Sequence, residues 1–145
     1  MSMEPIEAAR LLVFSAGAAI LFSSLMGFAM LAPLQPWGAK LMKGLNYKQI
    51  GAAHLDWIML GLMQGLGAGV IAAFSLNLSI WPVAALIAGG WLNPLPYLFR
   101  GFGLNAFVFG GGAMQRAAAT LGLLSSLAIV FAWSVILFAA WEAWP

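Results

Sequence analysis

Four apolar stretches, at about 11–34, 52–76, 80–99 and 117–141, alternate with short polar breaks along the chain. The first, third and fourth carry no charge, and the second carries only Asp56. Each is near the roughly 20 residues a helix needs to cross the hydrocarbon of a bilayer, and lipid admits only helices or closed barrels. The pattern predicts an all-α membrane protein, a single-domain bundle of four transmembrane helices over 1–145. Pro33 and Pro36 end the first span, with Trp37 where an interfacial aromatic belongs. Asn77, Leu78 and Ser79 read as a tight turn between the second and third spans. Pro82 falls in the first turn of the third, where a missing N–H costs nothing. Pro94 and Pro96 must bend or unwind that span near its end. A glycine-rich connection through Arg100 then leads to Gln115, Arg116 and the fourth span. No internal repeat is evident.

Composition supports this reading. The chain is 63% hydrophobic and 7% charged, against about 25% charged for a soluble domain, and its mean hydropathy is +0.98. Glu4 and Glu7 precede the first base, Arg10, so the first span is not a secretory signal and is expected to be retained. With no cysteine, disulfides, thiol chemistry and Cys-bound metal centres are excluded, and thiol-dependent four-helix membrane enzymes with them. A formal charge of +2 is too small and scattered for nucleic-acid binding. Lys40, Lys43, Lys48, Arg100 and Arg116 fall in loops 35–51 and 100–116, against Arg10 alone on the other side. Positive-inside logic therefore puts those loops in the cytoplasm and both termini outside, in a plasma membrane of bacterial inner-membrane type. Trp37, Trp57, Trp81, Trp141 and Trp144 read as interfacial belt residues, and the methionines as packing.

Candidate chemistry concentrates in the stretch GGWLNPLPYLFRGFGLNAFVFGG, residues 89–111. The lone histidine, His54, precedes Leu78 by 24 residues, so a hairpin of spans two and three brings it to the depth of Asn93, Tyr97 and Arg100. His54, Ile58, Gly61, Gly65 and Gly69 recur at spacings of four and three and share one helix face. The glycines fit a close helix–helix contact, or room for a flat macrocycle hung from His54. An ionisable group inside a span is a functional candidate, although a histidine bonded to a backbone carbonyl would serve structure alone. Asp56, two residues on, points to another face and reads as a structural or interfacial acid. Asn93 and Tyr97, four apart, share a face if the helix continues; they line a site or satisfy backbone freed by the prolines. Lys48, Arg100 and Arg116 set topology or pair with carboxylates of a bound cofactor.

Within this stretch Gly90-Trp91, Asn93, Tyr97-Leu98-Phe99, Phe102, Asn105 and Phe109-Gly110 match the pattern G-W-x-N-x-x-x-Y-L-F-x-x-F-x-x-N-x-x-x-F-G without a gap. The run resembles that of the styrene oxide isomerase family, four-helix membrane enzymes of aromatic degradation whose haem-ligating histidine follows an alanine, as in Ala53-His54. The resemblance spans roughly 47–111; outside it only the four-span layout agrees. It implies a ferric haem b bound through one axial histidine, His54, in a homotrimer with the cofactor near a subunit interface. Gly61, Gly65 and Arg100 would then contact the cofactor, and Asn93 and Tyr97 would line the distal pocket and orient the epoxide. The implied reaction is the Meinwald rearrangement: the iron as Lewis acid takes the epoxide oxygen, the benzylic C–O bond opens, and a 1,2-hydride shift gives the aldehyde. The substrate would be a small apolar epoxide entering from the lipid bilayer. Leu60 departs from the family, which has an asparagine six residues after the ligand histidine.

The residues agree with such chemistry on their own terms. One histidine per chain cannot supply bis-histidine ligation within a subunit, and a single ligand leaves an open iron position. A redox-neutral isomerisation with no net proton transfer suits a chain with few acid–base groups. A dry apolar pocket keeps water from trapping a cation. Two other classes stay open. A small proton-coupled multidrug transporter needs a membrane-embedded carboxylate, for which Asp56 is the candidate. A haem- or quinone-binding electron-transfer subunit needs a second ligand from a methionine or another chain.

Overall fold

The structure is a computed structural model that describes residues 2–41 and 43–144; Met1, Met42 and Pro145, which fall within the expected domain and first loop, lie outside it. After a two-residue strand β1 (Ser2–Met3), the chain forms α1 (Pro5–Ala29), a 3-10 turn (Ala32–Leu34), α2 (Gly38–Leu41) and α3 (Tyr47–Ala73). Strand β2 (Leu78–Ser79), α4 (Ile80–Leu92), α5 (Leu95–Gly101) and α6 (Ala113–Glu142) follow. The protein is thus essentially all-α, and α1, α3 and α6 are each long and apolar enough to cross a membrane. Their outer faces carry exposed Phe14, Leu66 and Phe138, side chains that water would not favour at such positions.

Helix ends follow local chemistry. Pro5 opens α1 at a position where proline needs no N–H partner, so the helix begins before the charge-free stretch and includes Glu7 and Arg10. The Asn46 side chain caps α3 by accepting from the Gln49 amide at 3.4 Å, which starts that helix at Tyr47 rather than at residue 52. It stops where Ser75 takes φ 52° and the Leu76 amide reaches back to the Ile71 carbonyl at 3.0 Å, the closure usually made by glycine. Leu78 and Ser79, expected in a turn, pair instead antiparallel with Met3 and Ser2.

The third expected span is in two pieces. At 13 residues, α4 rises about 20 Å, less than the roughly 30 Å of hydrocarbon. Pro94 and Pro96 lack the amides that would bond the Gly90 and Leu92 carbonyls. Pro94 itself stays helical (φ −74°, ψ −16°), and the Tyr97 and Leu98 amides both turn to its carbonyl, at 3.1 and 3.2 Å, to start α5. The end of α5 is tied to the start of α3, where the Asn46 amide donates to the Gly101 carbonyl at 2.9 Å.

The main apolar core lies at the end bearing the termini, where Leu12, Ile71, Val83, Leu86 and Ile136 interlock. Small residues bring the helices together. A Cβ at Gly61 would stand 3.1 Å from the Ala16 carbonyl of α1, and one at Gly89 would stand 2.8 Å from the Ser125 carbonyl of α6. The opposite end, rich in proline and glycine, holds His54, Asp56, Asn93 and Tyr97 and two cavities.

Candidate functional site: a histidine and an amide on opposite sides of α3

His54 faces α1. Its Nδ1 lies 2.8 Å from the Ser23 carbonyl and 2.7 Å from Ser23 Oγ, while that hydroxyl donates to the His54 carbonyl at 2.6 Å. The serine proton is spent on the carbonyl, so Nδ1 meets two acceptors and must carry the ring hydrogen. Nε2 is left with its lone pair and no hydrogen-bond partner among the described residues. A Cβ at Gly27 would stand 3.1 Å from His54 Cε1 and 3.6 Å from Nε2, so glycine there keeps that edge of the ring uncrowded. A ring N–H fixed by a backbone carbonyl, with the other nitrogen bare, is the usual setting of a metal-bound histidine. Among the described residues no three His, Asp or Glu side chains form a group that could hold a metal ion.

The glycine face of α3 divides. Gly61 is closed against α1, which fills the space a macrocycle would need there, whereas Gly65 and Gly69 have open space beside them. Leu60 is buried within the bundle.

Asp56 comes about 200° further round α3 than His54, and there the other polar residues gather. Asn93 Nδ2 donates to Asp56 Oδ2 at 3.2 Å, and Asn93 Oδ1 accepts from Ser125 Oγ at 3.2 Å and Ser126 Oγ at 2.8 Å. Asn93, Tyr97 and Ser126 line an open-mouthed cavity of about 290 Å³ together with Ala106, Phe107 and Phe109 of the glycine-rich connection and Gly122 and Leu123 of α6. Phe107 packs its ring edge-on to Tyr97, centroids 4.8 Å apart. The Arg100 guanidinium lies 5.6 Å from the other ring centroid of that pair, Phe107, and is exposed. A second, apolar cavity of about 460 Å³ lies between Met26 of α1, Met30 just beyond its end, Tyr47 and Ile50 of α3, and Leu98.

The hairpin expected from the sequence therefore forms, but His54 and Asn93 sit on opposite sides of α3 rather than in one pocket of one chain. Ser23, Gly27, Ser125, Ser126 and Phe107 were not singled out from the sequence. The adjacent pairs Ser23-Ser24 and Ser125-Ser126 in otherwise apolar spans were a usable signal; Gly27 carried none. Trp57 is a correction: at 2% exposed it is core rather than belt, and its Nε1 donates to the Trp91 carbonyl at 3.2 Å. It follows the buried stripe Ile50, Ala53, Trp57, Leu60, Gln64, whose helical spacing outweighs the usual preference of tryptophan for the interface. Comparison with protein-family models, curated proteins and solved structures finds no match to this chain.

Proposed function

We propose that this chain is a redox-neutral membrane isomerase that converts an aryl epoxide, such as styrene oxide, to the aldehyde, with haem b held by His54. The observation that carries the reading is the Ser23 carbonyl on His54 Nδ1, which leaves Nε2 as the nitrogen that would hold the iron. When bound, ferric haem supplies a Lewis acid for the epoxide oxygen. The chain's own part is to hold and orient. Ser23 fixes the tautomer and ring plane of His54, Gly27 leaves its Nε2 edge open, and the Asn93 amide and Tyr97 hydroxyl orient an acceptor oxygen in a cavity otherwise walled by Pro96, Phe107, Phe109 and Leu123. That apolar wall keeps water from a developing cation.

Because His54 and the Asn93–Tyr97 pair face away from each other across α3, the two halves of the site belong to adjacent copies. This agrees with a homotrimer whose cofactor lies near the subunit interface. On this reading α4 and α5 together make the fourth membrane crossing, broken at Pro94. Loops 35–51 and 100–116 then face the cytoplasm of a bacterial-type inner membrane.

The test is to add styrene oxide anaerobically, without reductant, to haem-loaded protein. Phenylacetaldehyde forming with no change in iron oxidation state is the expected result; diol, or no product, contradicts the reading. A second reading rests on Asp56, a half-buried carboxylate within a span and bonded to Asn93. If protein made with ample haem carries none, Asp56 becomes the candidate for proton-coupled transport.

A further inference from the structure

Asn93 has its amide almost wholly committed. An amide offers two acceptor lone pairs and two N–H donors. Here Nδ2 spends one hydrogen on Asp56 Oδ2, and Oδ1 meets two serine hydroxyls. Reversing the amide would set Oδ1 against the Asp56 carboxylate, two acceptors face to face. Ser125 and Ser126 each have one proton and could instead give it to the Gly122 carbonyl, 2.9 Å from either hydroxyl. With Nδ2 held by Asp56, however, Oδ1 is the oxygen both hydroxyls face from α6. What remains is one N–H without a partner among the described residues, on a residue that lines the cavity together with Tyr97. A free asparagine would present a donor and an acceptor alike. This one presents a donor.

We infer that Asp56 is a positioning residue: with Ser125 and Ser126 it locks the Asn93 amide so that the cavity offers hydrogen-bond donors and selects apolar molecules bearing a single acceptor oxygen. The inference rests on the epoxide reading of this cavity but is tested by binding rather than turnover. Full-length protein in nanodiscs is titrated with acetophenone and with α-methylstyrene, which replaces C=O by C=CH₂ in nearly the same shape, and binding is read by saturation-transfer NMR. One neutral hydrogen bond in an apolar site should favour the ketone roughly fivefold. In a Tyr97→Phe background, which removes the other donor, Asp56→Leu should bring that ratio close to one while leaving α-methylstyrene binding unchanged, which also reports that the cavity is intact; Asp56→Asn, which keeps an acceptor, should restore the preference. Ser126→Ala, at an exposed position, frees a lone pair on Asn93 Oδ1 and should strengthen binding of indole, an N–H donor, by a similar factor. It keeps the test decisive should Asp56→Leu fail to fold. A ketone preference that survives Asp56→Leu in the Tyr97→Phe background overturns the inference, as does its absence from the native protein or indole binding unmoved by Ser126→Ala. Failure of the isomerase reading would show separately, as acceptor selectivity in a protein that makes no aldehyde.

Discussion

At His54 the tautomer is set by a neighbouring helix, because Ser23 offers Nδ1 a carbonyl at 2.8 Å and has already given its own hydroxyl proton to the His54 carbonyl. The carbonyl, not the hydroxyl, is the essential acceptor, yet the hydroxyl locks the pair in place across the α1–α3 contact. Ser23→Ala keeps the carbonyl and loses the lock. Full loss of a histidine's outer partner typically costs 10–100-fold in metal affinity; with the carbonyl kept but less firmly held, haem should dissociate from Ser23→Ala faster than from the native protein, by up to about tenfold, in a transfer assay to apomyoglobin. An unchanged rate would mean that the serine only packs α1 against α3. The sequence made His54 conspicuous as the chain's one histidine, placed inside an apolar span. It did not reveal which way the ring turns, because a serine 31 positions away in another helix decides that.

Among the elements, α4 and α6 approach closely enough that glycine is required between them. A Cβ at Gly89 would lie 2.6 Å from Ile129 Cγ1 and 2.8 Å from the Ser125 carbonyl. Gly89→Ala should therefore push α4 from α6 and destabilise the fold by about 1–3 kcal/mol, measured by SDS-induced unfolding. Ser125 is part of that contact, so the same substitution should disturb the serine hydroxyls on Asn93. The helices themselves were legible, since charge-free length and proline position gave four apolar segments and the break near Pro94. Their ends were less so: absence of charge marks the part a bilayer would cover, while Pro5 and the Asn46 cap extend the helices beyond it. The Asp56–Asn93 pair was half-legible. Spacing put Asp56 on a different face from His54, but only the fold brings Asn93 and two serines of α6 to that face.

For the whole molecule, the main apolar core at the terminal end leaves the other end to carry a histidine on one side of α3 and a polar cavity on the other. If adjacent copies complete each site, a trimer mixed from His54→Ala and Tyr97→Phe chains should regain activity that each variant alone largely loses. Random mixing in a ring of head-to-tail interfaces pairs an intact His54 with an intact Tyr97 at about one interface in four. Co-expressed chains should therefore show about a quarter of native turnover, and no recovery would place both groups in one site of one chain.

The most direct measurement is the absorption spectrum of protein purified in detergent after expression with ample haem, set beside that of His54→Ala. A ferric Soret band in the native protein that collapses in the variant is the predicted result, because Nε2 of His54 is the nitrogen left free for the iron. A native protein with no Soret band, or a band unchanged by His54→Ala, would contradict the account.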